Sequence, residues 1–227
     1  MGCRFKLFII FLLLSAPCSA AVEDFTTYTE VDSDAKVTVT SSRVTWASAN
    51  SRNVAYSVYS DKGSGHFGDF THLITGFSSA MNNTGAQPLF GWELISNSTG
   101  DQRAVDLAGS GLELYLYTTS YHIYIEDAGG TNDFYDGAAS TVYYCTFSRS
   151  GTTLQCLIYS DSGRTTLLDT LSTTCTATTF QYVNVGASYD TNESANSSGY
   201  IENLDLQEAA ADPSIMQGSV LQGAVLN

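Results

Sequence analysis

Val142-Tyr143-Tyr144-Cys145-Thr146-Phe147-Ser148-Arg149-Ser150-Gly151-Thr152-Thr153-Leu154-Gln155-Cys156-Leu157-Ile158-Tyr159 decides the fold. Two runs of alternating apolar residues flank a Ser150-Gly151 pair. Such a pair suits a primed turn, because glycine accepts positive φ and the turn then twists with its strands. Centred there, the turn sets Arg149 against Thr152, Phe147 against Leu154, Cys145 against Cys156 and Tyr143 against Ile158. The six apolar partners share one face, so a slip of one residue would turn the whole set to solvent. An antiparallel sheet over a core follows.

The rest of the chain repeats this style. No segment carries helical periodicity, and short alternating runs are separated by Gly, Asn, Asp and Ser, the pattern of an all-β sandwich. Expected strands are Phe25–Val31, Lys36–Thr40, Arg43–Trp46, Val54–Tyr59, Phe70–Phe77, Leu89–Ile95, Leu112–Tyr117 and His122–Glu126. The hairpin comes next, then Thr166–Leu171, Phe180–Gly186 and Tyr200–Leu206. Asp61–Gly65, Asn82–Ala86, Ser96–Asp101, Ala128–Asp133 and Asp190–Ser198 read as loops.

Residues 1–20 read as an export signal: Arg4 and Lys6, the apolar run Phe5–Leu14, then Cys18-Ser19-Ala20 before a cut at Ala21. That run is shorter than the about 20 apolar residues a bilayer span needs. Pro17 stands where an acylated Cys18 wants a small residue, and Lys6 breaks an N-acylation motif beginning at Gly2. The expectation is a secreted, extracellular protein with no membrane insertion. The domain is expected to span 21–208, followed by a linker-like tail, 209–227, that ends in a mostly uncharged, partly apolar stretch.

The chain has 9 Lys and Arg against 23 Asp and Glu, a net charge of −14. Losing Arg4 and Lys6 with the leader leaves seven bases against the same 23 acids, or −16. Such acidity argues against nucleic acid and anionic membrane as partners. Of the 5 cysteines, Cys145, Cys156 and Cys175 remain in the mature chain. In the expected register Cys145 and Cys156 sit at a hydrogen-bonded pair, with Cβ atoms nearer about 5.5 Å than the roughly 3.8 Å of a disulfide. Buried thiols are the expectation, with a strained bridge as the alternative. No Cys/His spacing matches a zinc site.

Strand arithmetic brings one constellation together. If Leu112–Tyr117 turns back into His122–Glu126, Leu114 and Leu116 meet Ile125 and Ile123 toward the core. The other face then holds Tyr117 beside His122, Tyr115 beside Tyr124, and Glu113 beside Glu126. Aromatic rings stack on the C–H faces of a sugar while carboxylates accept its hydroxyls. Glu113, Tyr115, Tyr117, His122, Tyr124 and Glu126 are therefore the candidate carbohydrate-binding residues, with the three tyrosines partly exposed. The intrinsic strand preference of tyrosine explains the same rings without a ligand. Paired carboxylates also raise calcium, whose ligands more often come from loops, and a glycosidase pair.

A second stretch, Lys62-Gly63-Ser64-Gly65-His66-Phe67-Gly68-Asp69, makes a glycine-rich loop from which His66, Asp69 and His72 could converge on a ligand. The Gly-Lys-Ser/Thr order of a phosphate loop is absent, and a plain structural turn into the next strand is the alternative. Asn82, Asn97, Asn192 and Asn196 each open an Asn-x-Ser/Thr sequon.

The hairpin pattern Tyr-Tyr-x-x-Phe-x-Arg-x-Gly-x-x-Leu-x-x-x-Ile-Tyr resembles the central hairpin of laminin-G-like, concanavalin A-like domains. Gly68-Asp69-Phe70-Thr71 is similar to that family's early Asp-Phe-Thr strand. Gly199-Tyr200-Ile201-Glu202-Asn203-Leu204 is similar to its closing strand. The likeness runs from Asp24 to Leu206. It implies an all-β jelly roll of two antiparallel sheets, and a leaning toward binding a glycan or a surface protein. The family's glycosidases carry a Glu-x-Asp-x-x-Glu strand that this chain lacks, so the resemblance implies a non-catalytic lectin or adhesion module. A structural subunit of a virion, filament or surface layer, its apolar tail pairing with a neighbour, is the alternative from another class. A glycoside hydrolase of the same fold is the third.

Overall fold

A computed structural model describes residues 21–32, 35–49, 56–79, 89–99, 105, 109, 111–117, 120–128, 130–189 and 197–208. The leader, the tail and the sequons at Asn82, Asn192 and Asn196 lie outside the described residues. Ala21–Glu208 forms one compact unit.

Among the described residues, fifteen strands build two antiparallel sheets. In chain order they are β1 Thr29–Asp32, β2 Val37–Val39, β3 Arg43–Ala49, β4 Tyr56–Asp61, β5 Phe70–Ser78, β6 Leu89–Ser96, β7 Gly111–Tyr117 and β8 His122–Asp127. Then come β9 Asn132–Asp136, β10 Thr141–Ser150, β11 Thr153–Tyr159, β12 Leu167–Thr174, β13 Tyr182–Val185, β14 Ala187–Tyr189 and β15 Ser197–Asp205. One sheet runs β1-β4-β13-β6-β7-β8-β9, with β14 also on β6; the other runs β12-β11-β10-β5-β15-β3-β2. Phe25–Thr27 forms a single 3-10 turn, capped by the Asp24 carboxylate on the Thr26 amide. It takes the first half of the strand expected over Phe25–Val31. Phe25 is buried there, so the capped turn keeps its ring in the core.

The deciding hairpin is present with its register moved by two residues. Ser150 pairs with Thr153, Arg149 with Leu154, Phe147 with Cys156 and Cys145 with Ile158. The two-residue loop is Gly151-Thr152, and only Gly151, at φ +59°, takes positive φ. Glycine in the first loop position is the II′ arrangement. A shift of two keeps every side chain on its face. Tyr143, Cys145, Phe147, Leu154, Cys156 and Ile158 are all buried, as are Leu114, Leu116, Ile123 and Ile125 on the facing sheet.

Cys145 and Cys156 therefore do not face each other across the hairpin, and both are free thiols, as is Cys175. Burial first, then the neighbouring Cys145 thiol, pushes the Cys156 thiol well above its usual range. Iodoacetamide at neutral pH should leave Cys145 and Cys156 unmodified in the native protein and label both after unfolding. Rapid native labelling of either would contradict this packing.

The two sheets interlock through aromatic rings. Trp46 of β3 stacks on Phe90 of β6 with centroids 4.8 Å apart and planes 4° from parallel. Trp92 lies over Gly76, where a Cβ would come within 2.5 Å of the indole; glycine is what lets the sheets approach there. Beside Trp92, β6 bulges between Gly91 and Glu93. The extra residue re-aims the strand, so Glu93 pairs opposite core-facing Leu114 and points inward, while Leu94 pairs opposite Glu113 on the outer face.

Candidate functional site

The β7–β8 register is the one the sequence arithmetic gives: Leu116 opposite Ile123, Leu114 opposite Ile125, Tyr117 opposite His122, Tyr115 opposite Tyr124, Glu113 opposite Glu126. Glu113, Tyr115, Tyr117, His122, Tyr124 and Glu126 thus share the outer face. The alternation that buries Ile123 and Ile125 turns His122, Tyr124 and Glu126 outward.

The expectation of three partly exposed tyrosines needs correcting. Tyr115 is only 6 % exposed and Glu113 only 2 %. On that side of the sheet Leu94, Val105, Ala128 and Ala187 form a small second hydrophobic cluster, and Leu94 is the β6 partner of Glu113. Tyr115 instead anchors the array. Its hydroxyl donates to Glu126 Oε2 at 2.6 Å, and its ring lies parallel to Tyr124 at 5.2 Å and 6°.

The accessible part of the array is Tyr117, His122, Tyr124 and Phe134. Tyr124 is its hub, 6.2 Å from Tyr117, 5.9 Å from His122 and 5.2 Å from Phe134. His122 stacks on Phe134 at 4.6 Å and 22°, and its Nε2 lies 2.9 Å from Asp136 Oδ1. Phe134 is 44 % exposed. Phe134 and Asp136 come from β9, a strand where the sequence reading begins with the Ala128–Asp133 loop and continues with no strand. The signal was there: in Asn132-Asp133-Phe134-Tyr135-Asp136 the two aromatics point to opposite faces, Tyr135 packing on the core and Phe134 outward. The polar residues around that pair masked its alternation.

Burial and then the hydrogen bond to Glu126 hold the Tyr115 hydroxyl far above the usual tyrosine range, and burial followed by Glu23 does the same to Tyr28. In both, the folded state binds the proton more tightly than the unfolded chain. Their contribution is therefore complete below about pH 10, where unfolded tyrosines ionise. Above it, stability falls by about 1.4 kcal/mol per pH unit per tyrosine. Urea midpoints should hold up to that pH and drop beyond it, less steeply in Tyr115→Phe. An identical alkaline slope in that variant would contradict the assignment.

The carboxylates do not form a metal cage. Glu126 commits Oε2 to Tyr115, and among the described residues no group of three or more His, Cys, Asp or Glu is placed to hold a metal ion. Nor do Glu113 and Glu126 resemble a glycosidase pair flanking a cleft, since Glu113 is buried.

The glycine-rich loop fares differently. Lys62 is drawn off to Glu23, Nζ to Oε2 at 2.8 Å. His66, Asp69 and His72 do converge, around a cavity of about 560 Å³ beside the β10–β11 turn. The other sheet's outer face has aromatic rings too, Phe77 stacked on Tyr200 with Arg43 4.0 Å above Tyr200, but Arg43 is already paired with Glu202. Asn97, the sequon residue inside the described region, is exposed and donates its side-chain amide to the Thr179 carbonyl at 3.1 Å.

Two antiparallel sheets in this order define a concanavalin A-like sandwich, and solved structures share it. The chain is similar to the exoplasmic/lumenal domain of VIP36 in its Ca2+-bound form, at 12% identity and TM-score 0.51, over 81% of this chain and 85% of that one. The Ca2+/Man2-bound form of the same domain matches at 11% identity and TM-score 0.50, over 84% and 85%. A functionally unknown protein from Saccharomyces cerevisiae matches at 13% identity and TM-score 0.50, over 83% of this chain and 100% of that one. No family model matches the sequence, and no curated protein matches it either. These likenesses concern the fold. No helix among the described residues is long and apolar enough to cross a membrane.

Proposed function

We propose that this protein is a secreted, non-catalytic glycan-binding module whose sugar-contacting surface is the row Tyr117, His122, Tyr124 and Phe134 on the outer face of β7, β8 and β9. The observation that carries the reading is the continuity of that row: Tyr124 is in ring contact with all three of the others, and Phe134 is 44 % exposed at its edge. Rings packed against one another on rigid strands offer a preformed apolar surface that loses little entropy on binding, and the C–H faces of a pyranose pack on it. Asp136, with its side chain 81 % exposed, and the tyrosine hydroxyls supply hydrogen-bond partners at the rim. Glu113, Tyr115 and Glu126 support the row from its buried end.

The fold-level likeness to VIP36, solved with Man2 bound, supports a glycan as ligand. The burial of Glu113 supports binding without bond cleavage. A glycan array screened with the protein, with and without a calcium chelator, tests the reading. Selective binding that persists in the chelator is the expected result; no binding to any glycan, or full dependence on calcium, would contradict it.

A further inference from the structure

The cavity beside the β10–β11 turn lies apart from the aromatic row and is built around a buried imidazole. His72 in β5 is 1 % exposed, and its Nδ1 is hydrogen-bonded to Glu93, 0 % exposed, which reaches across from the opposite sheet. Glu93 gets there only because β6 bulges beside Trp92, and bulges that re-aim a side chain gather at functional sites. The Phe70 ring stacks on the imidazole at 4.4 Å and 25°, and the Phe67 ring meets it edge-on at 5.6 Å. A carboxylate and two rings therefore fix the orientation of His72. Among the described residues its one hydrogen bond is through Nδ1, and His72 lines the cavity. With Nδ1 held by Glu93, Nε2 is the polar atom the imidazole has left for a ligand.

The rest of the wall sets the ligand class. Asp69, with its side chain 65 % exposed, and Glu208, engaged by His66 at 2.5 Å, add carboxylate acceptors at the mouth. Arg149 is buried, spends Nη1 and Nη2 on the carbonyls of Thr178 and Phe67 at 2.6 and 3.3 Å, and leaves Nε without a hydrogen bond. Asp69 stands 4.0 Å from that Nε. With Arg149 offset by Asp69 and His66 paired with Glu208, the described part of the wall offers an anion no free cation, while the acceptors favour a ligand rich in hydroxyl donors. A volume of about 560 Å³ falls within the 300–1,000 Å³ of small-molecule sites. We propose that this cavity is a second binding site, taking a single neutral polyhydroxylated ring, a sugar or cyclitol, that hydrogen-bonds through a hydroxyl to His72 Nε2 and stacks against Phe70. It is independent of the aromatic row.

The test is an amide and histidine-ring NMR titration of the intact protein with methyl α-D-mannopyranoside, methyl α-D-galactopyranoside and myo-inositol at millimolar concentrations. Sodium acetate and ethylammonium chloride serve as charged probes. At least one neutral probe should shift the resonances of Gly68, His72 and Gly151 without moving those of Tyr124 or Phe134. Ser150 is exposed on the wall, so Ser150→Arg narrows the mouth without touching the core. It should weaken that binding by roughly tenfold or more, the scale of a lost central contact. His72→Gln, which keeps a polar partner for Glu93, should weaken it comparably. Shifts from the acetate or the ammonium probe alone, equal binding by a folded Ser150→Arg, or no shift at these residues from any neutral probe overturns the proposal. Because the row is read from separate resonances, failure here leaves the aromatic row standing, and the converse holds too.

Discussion

Tyr124→Ala lowers affinity for the preferred glycan by about 1–3 kcal/mol, roughly five- to 150-fold, the cost of deleting an aromatic contact at the centre of an interface. The expectation follows from position. Tyr124 touches the Tyr115, Tyr117, His122 and Phe134 rings, so its removal takes the hub from the surface and leaves His122 alone to link Tyr117 with Phe134. The side chain points away from the core, where Ile123 and Ile125 hold β8, so the fold survives. Tyr124→Phe keeps the ring and should retain most of the affinity. Titration calorimetry with the best glycan from the array measures both; a folded Tyr124→Ala with unchanged affinity would remove the row from the binding account.

His72→Ala has the largest expected effect on stability, a loss of about 3–5 kcal/mol, because it strands a buried carboxylate without its partner. Glu93 is fully buried, its Oε1 faces His72, and its Oε2 has no hydrogen bond among the described residues. The same argument makes the paired replacement informative. His72→Met combined with Glu93→Leu removes both polar groups and fills a similar volume, and such swaps are often neutral or stabilising. Urea denaturation of the three proteins decides it. If His72→Ala costs less than about 1 kcal/mol, the scale of an ordinary hydrogen bond, the pair is not a buried inter-sheet contact.

The strands of this sandwich were readable wherever one face is buried and the other wet. Leu114, Leu116, Ile123 and Ile125 alternate with Tyr115, Tyr117, His122 and Tyr124, and the cross-strand partners follow by counting outward from Tyr117 and His122. Counting failed by two in the long hairpin, because Gly151 can serve as either residue of a primed loop and composition does not say which. Faces survive such an error; partners do not. That is why burial of Cys145 and Cys156 was legible while their supposed opposition was not.

Other features depend on tertiary context. Nothing local to Glu93 announces that a bulge turns it inward, since bulges answer to the neighbouring strand rather than to their own sequence. Tyr115 reads like Tyr117 and Tyr124, yet the covering cluster of Leu94, Val105, Ala128 and Ala187 comes from distant segments. Phe134 and Asp136 were missed because five residues dominated by Asn and Asp carry little strand propensity of their own, and β9 is secured by pairing with β8.

The most direct test of the central claim is a ring-resolved NMR titration of the tyrosine, histidine and phenylalanine side chains with the glycan that binds most tightly on the array. The account predicts that the largest shifts fall on Tyr117, His122, Tyr124 and Phe134, with Tyr144 and Tyr200 on the other sheet unmoved. Saturable binding whose shifts are confined to Tyr144, Tyr200 or the rings around His72, with Tyr124 and Phe134 silent, would contradict it.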